Sequence, residues 1–113
     1  IEVWQSNMNE ICSSSDHQSL IILQPISGSS NRTQTEFEYM KYLQNDGENM
    51  NESLNHYAEA LQKLNCEYTA DFRNVFDNVE GPIYYDEGHV TDRGNLIVAK
   101  NIFEIIRTKI LEL

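Results

Sequence analysis

The chain has 113 residues, room for one domain or less. Its 18 Asp and Glu against 8 Lys and Arg give a formal net charge of −10, a surface that repels phosphate backbones and anionic lipid and so argues against nucleic acid as a partner. At 40% apolar residues the composition is not that of a disordered acidic tail, and no apolar run is long enough to span a membrane.

The chain begins at Ile1 rather than Met, and processing or truncation is expected to have removed what preceded it. Residues 1–14 read as a helix, with Val3, Trp4, Met8, Ile11 and Cys12 at helical spacing on one apolar face. The run Ser13-Ser14-Ser15-Asp16 breaks that pattern. Leu20-Ile21-Ile22-Leu23 is a short continuous apolar run, as expected of a buried parallel strand, and Pro25, which has no N–H to give a ladder, ends it. Residues 26–34, rich in Ser, Gly and Asn, form a loop at the C-terminal end of that strand, where open α/β sheets place their ligand sites.

A helix is expected from about Thr35 to Gln44, with Phe37, Met40, Tyr42 and Leu43 as its apolar positions, and Asn45-Asp46-Gly47 is a turn signal. The next helix runs from about Met50 to Leu64, with Leu54, Tyr57, Ala58, Leu61 and Leu64 as its buried stripe. Cys66 to Phe72 reads as a second, weaker strand. Residues 73–90 form a long connection, of the kind that is functional or holds a short helical turn. Thr91 or Asp92 caps a last helix running to about Leu111, with Ile97, Val98, Ile102, Ile105, Ile106 and Ile110 on its buried face. Strands separated by helical crossovers imply an α/β fold with a parallel sheet. Two strands cannot make a sheet covered on both faces, so the rest of the domain is expected outside these residues.

Cys12 and Cys66 lie far apart and in no metal-binding spacing, and read as two buried or half-buried thiols. Asn31-Arg32-Thr33 and Asn51-Glu52-Ser53 match the acceptor pattern for glycans in a secretory compartment, a pattern that carries little weight because tripeptides this short recur by chance. His17 and His56 sit in polar surroundings and are assigned no role.

The chemistry concentrates in Tyr84-Tyr85-Asp86-Glu87-Gly88-His89-Val90-Thr91-Asp92-Arg93-Gly94-Asn95. In Asp86-x-x-His89 a tight turn, helped by Gly88, brings the carboxylate against one ring nitrogen. That bond fixes the tautomer and leaves the other nitrogen as a general base. The simpler readings are a surface histidine beside a helix cap, a solvated acidic turn, or a hard metal site built from Asp86, Glu87, His89 and Asp92. No metal or cofactor is assigned. Tyr84 and Tyr85 are placed either in the core or along an acyl pocket.

The stretch Asp86–Asn95, with the helix through Ile97 and Ala99, resembles the last signature block of the SGNH (GDSL-type) hydrolases. The strand ending in Gln24-Pro25 and the segment Phe72-Arg73-Asn74-Val75-Phe76 resemble elements that flank it in that family. The resemblance implies a three-layer α/β/α, flavodoxin-like fold around a parallel sheet, with residues 1–113 as its C-terminal portion. It also implies hydrolysis of small-molecule, lipid or carbohydrate esters by acyl transfer, with Asp86 as orienting acid and His89 as base. The family's Gly-Asp-Ser nucleophile block and its Gly-x-Asn-Asp block have no counterpart here. They are expected upstream of Ile1. Ser27-Gly28-Ser29-Ser30 reads as a pocket-rim loop rather than a nucleophile. By themselves the 113 residues are expected to be inactive and poorly folded, because an inner strand edge is exposed. The alternatives are a non-catalytic α/β interaction module and a phosphate-binding flavodoxin-like domain. The acidity and the lack of a Gly-rich phosphate loop argue against the second.

Overall fold

The computed structural model describes residues 1–14 and 16–112. Of the expected break at Ser13–Asp16, Ser15 lies outside the described residues. The elements in chain order are α1 (Glu2–Cys12), β1 (Leu20–Leu23), α2 (Glu36–Gln44), α3 (Gly47–Gln62), β2 (Tyr68–Asp71) and α4 (Asp92–Ile105), which continues into a π-helical turn (Ile106–Ile110). The chain is mixed α/β. β1 and β2 pair in parallel, Leu20 opposite Tyr68 and Leu23 opposite Asp71, and are the two strands of the sheet among the described residues. No helix among these residues is long and apolar enough to cross a membrane.

The first core cluster forms where α3 covers the sheet. Leu23, Ala58 and Leu61 are buried, with Trp4, Ile21, Leu54, Tyr57 and Leu64 packed around them. The apolar stripe of α3 therefore faces inward as its spacing predicts. Trp4 meets Tyr57 edge to face at 5.3 Å, an arrangement that suits the ring quadrupoles and seats α1 on α3. α1 itself is less amphipathic in fact than in pattern, because Val3 and Ile11 are exposed.

A disulfide joins Cys12 to Cys66, 54 residues apart. The thiol reading is thus overturned. α1 ends beside the approach to β2, and the two Cα atoms come within 5.3 Å, inside bridging range. On the chain-entropy account, closing a loop of this length restricts the unfolded chain by about 4 kcal/mol.

The helix expected from Met50 begins instead at Gly47. Asp46 takes the left-handed backbone, φ 54°, so the turn is confined to Asn45 and Asp46. Gly47 is buried, and a side chain there would run into the Tyr42 ring. A Cβ on Gly28, whose φ is 90°, would stand 2.6 Å from the same Cδ2–Cε2 edge of that ring. The two glycines let the Tyr42 ring edge approach both the Ser-rich loop and the start of α3.

The second cluster, Phe76, Ile83 and Tyr84 with Val75, Val79, Val90, Ile97 and Val98, joins the long connection to α4. Phe76 and Ile83 are fully buried, each contributing on the order of 1.5–3 kcal/mol of apolar burial. Successive turns over residues 72–79 shape this segment, with Val75 N–H on the Phe72 carbonyl, Asp77 on Asn74 and Val79 on Phe76. Thr91 caps α4 through its hydroxyl, which accepts from Gly94 N–H. The molecule is a slab of 46 × 34 × 18 Å with a radius of gyration of 15.2 Å, wider than the roughly 13 Å of a rounded domain of this length. Leu43, Leu96 and Phe103 are exposed.

Candidate active site

The segment carrying Asp86 and His89 is held from below by a buried charge. Glu38 belongs to the first turn of α2, where Thr35 is the N-cap. The Thr35 hydroxyl accepts from Glu38 N–H, and the Glu38 carboxylate accepts from Thr35 N–H at 2.8 Å, closing a capping box. The other carboxylate oxygen accepts from the N–H groups of Ile83 (3.2 Å) and Tyr84 (3.0 Å). Arg32 meets the same carboxylate with both terminal nitrogens, at 3.0 and 3.1 Å, and also donates to the carbonyls of Val79 and Gly81. Burial alone would raise the Glu38 carboxyl. The Arg32 guanidinium and the N–H groups of Thr35, Tyr84 and Ile83 outweigh it and hold the group below the usual carboxylate range.

Above this anchor the chain doubles back. Tyr84 and Val90 form an isolated antiparallel bridge, Tyr85 N–H donates to the His89 carbonyl, and Thr91 N–H donates to Ile83. Between these rungs Asp86 closes an Asx turn. Its Oδ1 accepts from Gly88 N–H at 3.0 Å and from His89 N–H at 2.7 Å. Oδ2 lies 2.8 Å from Nδ1 of the His89 ring. The Gly88 N–H, the His89 N–H and then the imidazole pull the Asp86 carboxyl down to about 2. An ionised carboxylate only accepts hydrogen bonds, so Nδ1 carries the proton. Nε2 is then the basic nitrogen.

The site sits at the C-terminal end of β1. A cleft of about 270 Å³ is lined by Gln24, Pro25, Gly88, His89, Val90, Asn95 and Val98. Ser27 N–H donates to the Glu87 carbonyl at 2.9 Å, tying the loop after β1 to the Asp86–His89 turn. The His89 side chain is 83% exposed and that of Asp86 35%, so the imidazole is open to solvent.

Asp86 and His89 are therefore brought together as their spacing predicts. The Ser-rich loop stands apart from them chemically. The Ser29 and Ser30 hydroxyls both donate to the Arg73 carbonyl, and the buried Ser27 hydroxyl accepts from Gln34. These hydroxyls fasten loops to one another. Tyr84 belongs to the core, edge to face with Phe76 at 5.7 Å, whereas Tyr85 is exposed. Neither lines the cleft. Burial pushes the Tyr84 phenol up, and its buried hydroxyl finds no hydrogen-bond partner among the described residues, so the phenol stays protonated at neutral pH. Among the described residues no three His, Cys, Asp or Glu side chains are grouped to hold a metal ion, and Asp86, Glu87, His89 and Asp92 form no such group.

Arg32 and Glu38 have no place in the sequence reading of the site. The signal for Glu38 was present, since Thr35-x-x-Glu38 is a capping-box pattern. Nothing local marks Arg32 as its partner. No family model, no curated protein and no solved structure matches this chain.

Proposed function

We propose that the chain is part of a serine-type hydrolase of SGNH kind, with Asp86 and His89 as two of its three catalytic groups. Its reaction is the hydrolysis of a carboxylic ester by acyl transfer. The observation that carries this reading is the 2.8 Å contact of Asp86 Oδ2 with His89 Nδ1, which leaves Nε2 unused by the Asp86 carboxylate. The location at the end of a parallel strand, ahead of a capped helix, supports it.

In this mechanism Nε2 takes the proton of a serine hydroxyl as its oxygen attacks the ester carbonyl. The carboxylate of Asp86 stabilises the imidazolium that results. The imidazolium then gives its proton to the departing alkoxide, and the acyl-serine is hydrolysed by water that His89 deprotonates in turn. Such base catalysis contributes roughly 10²–10⁴-fold. The serine and the oxyanion donors come from another part of the same enzyme, which in this reading completes the three-layer α/β/α domain over the flat faces of the slab. Substrates are small-molecule, lipid or carbohydrate esters.

One observation favours a second reading, a non-catalytic interaction module. The strongest pulls on Asp86 are backbone N–H groups, so the Asx turn has a structural use without any chemistry. The discriminating experiment is hydrolysis of p-nitrophenyl acetate by the full-length gene product and by its His89→Ala variant. Turnover that falls at least 100-fold in a folded variant supports the hydrolase. Unchanged turnover, or none in the folded parent protein, moves the assignment to the module.

A further inference from the structure

The two sequons of this chain stand in opposite structural situations, and the difference does not depend on the hydrolase reading. Asn31 and Thr33 are exposed, while Arg32 between them turns inward to the Glu38 carboxylate. The Asn31 backbone is fixed at both ends, its N–H on Asp77 Oδ1 at 2.6 Å and its carbonyl accepting from Asn78 N–H at 2.8 Å. Its side-chain amide makes no hydrogen bond among the described residues. Beside it lies an open, polar groove of about 690 Å³ bordered by Thr33, Gln34, Asn78 and Glu80, with room for a first sugar.

Asn51 differs in every respect. It lies inside α3, and its Nδ2 donates to the Ser27 carbonyl at 2.9 Å and to the Gly47 carbonyl at 2.8 Å. Both N–H groups are used. A Cβ on Gly28 would stand 3.0 Å from this nitrogen, so the turn after β1 crowds it. A sugar on Nδ2 would displace one of these bonds and part the turn from α3. The Cys12–Cys66 disulfide adds an independent point. Such bonds persist in oxidising compartments, the secretory route among them, and are rare in the cytosol.

We propose that Asn31 is an N-glycosylation site and that Asn51 is not. The donor is an oligosaccharide carried on a lipid pyrophosphate. Nδ2 of Asn31 attacks the anomeric carbon and the C–N bond forms. The C–O bond to phosphate breaks, with its electron pair leaving on the lipid pyrophosphate, and the amide nitrogen loses one proton. The modified amide stays on the rim of the groove, and neither the Arg32–Glu38 pair nor the Asn31 backbone bonds are disturbed.

The test is expression of the chain behind a cleavable secretory leader in a eukaryotic host. Intact mass is read before and after an N-glycan amidase on both the secreted and the cell-retained lumenal protein. Thr33→Ala removes the first sequon without touching Asn31, and Ser53→Ala removes the second without touching the bonds of Asn51. The expected result is one glycan on the disulfide-bonded parent, none on Thr33→Ala and one on Ser53→Ala. A disulfide-bonded lumenal protein that is bare, or a glycan that survives Thr33→Ala and disappears in Ser53→Ala, overturns the proposal.

Discussion

Two of the ion pairs among the described residues, Arg32–Glu38 and His89–Asp86, are built in opposite ways. In Arg32–Glu38 the side chains are 2% and 0% exposed, and every capacity of the carboxylate is spent on Arg32, Thr35, Ile83 and Tyr84. In His89–Asp86 the side chains are 83% and 35% exposed, and one ring nitrogen is left over. Charge pairing fixes structure where no valence remains. It leaves chemistry available where one valence does. The first pair also holds the second, because Glu38 grips the N–H groups of Ile83 and Tyr84, two residues before the Asx turn begins.

The largest expected effect comes from breaking the buried pair. Glu38→Ala strands the Arg32 guanidinium and the N–H groups of Thr35, Ile83 and Tyr84. Removing one partner of a buried ion pair costs about 3–5 kcal/mol, a large part of the roughly 5–15 kcal/mol that holds a domain folded. Urea denaturation of the variant is expected to show that loss. Arg32→Met combined with Glu38→Leu removes both charges, and is expected to recover part of it but not all, since the three N–H donors stay unpaired. A loss under about 1 kcal/mol in Glu38→Ala would mean that water reaches the carboxylate and that the pair is not the anchor described.

The sequence made the exposed pair easier to find than the buried one, and the reason is physical. Asp86-x-x-His89 is local: an Asx turn needs only the residues it contains, and the spacing predicts it. β1 and the stripe of α3 were legible for the same reason, since continuous and helical apolar periods act over a few residues. Sequence pattern places α2 correctly, at Glu36–Gln44 with Thr35 as its cap, but hydropathy misjudges its face. Phe37, Met40 and Leu43 look like its inner face, yet they are exposed and Glu38 is the buried residue of the helix. A carboxylate goes inside only when donors distant in sequence meet it, and neither Arg32 nor the Ile83 and Tyr84 amides can be read from the helix itself. The Cys12–Cys66 bond was hidden likewise, because its 54-residue separation is closed by tertiary packing. The strand at Cys66–Phe72 shortened to Tyr68–Asp71, as pairing to the four residues of β1 limits it.

The comparison sharpens in acid. Asp86 titrates near 2, against an ordinary 3.8, because the folded turn supplies donors that the unfolded chain lacks. A depressed carboxyl adds stability above its unfolded value, and that contribution disappears as the pH falls through the folded one. Its loss is therefore expected between about pH 4 and pH 2. Glu38, also lowered, acts in the same direction. The carboxyl ¹³C shift of Asp86, followed by NMR, is expected to have its midpoint near 2 in the parent protein, and closer to the ordinary value in Glu38→Ala if loss of the anchor loosens the turn. A midpoint near 4 in the parent protein would mean that the turn is open in solution.

The smallest expected effect separates the two pairs most cleanly. His89→Ala removes a ring that packs against little and leaves both backbone bonds to Asp86 Oδ1 in place. Exposed positions of this kind change stability by about 0.5 kcal/mol or less, roughly a tenth of what Glu38→Ala removes. The same urea experiment reads both variants. If His89→Ala instead destabilises by more than 1 kcal/mol, the imidazole is part of the fold and its free nitrogen is incidental. If it is silent in stability while ester turnover by the full-length gene product collapses, the ring is kept for a reaction, because an exposed side chain that holds nothing together has no structural reason to be fixed by a carboxylate.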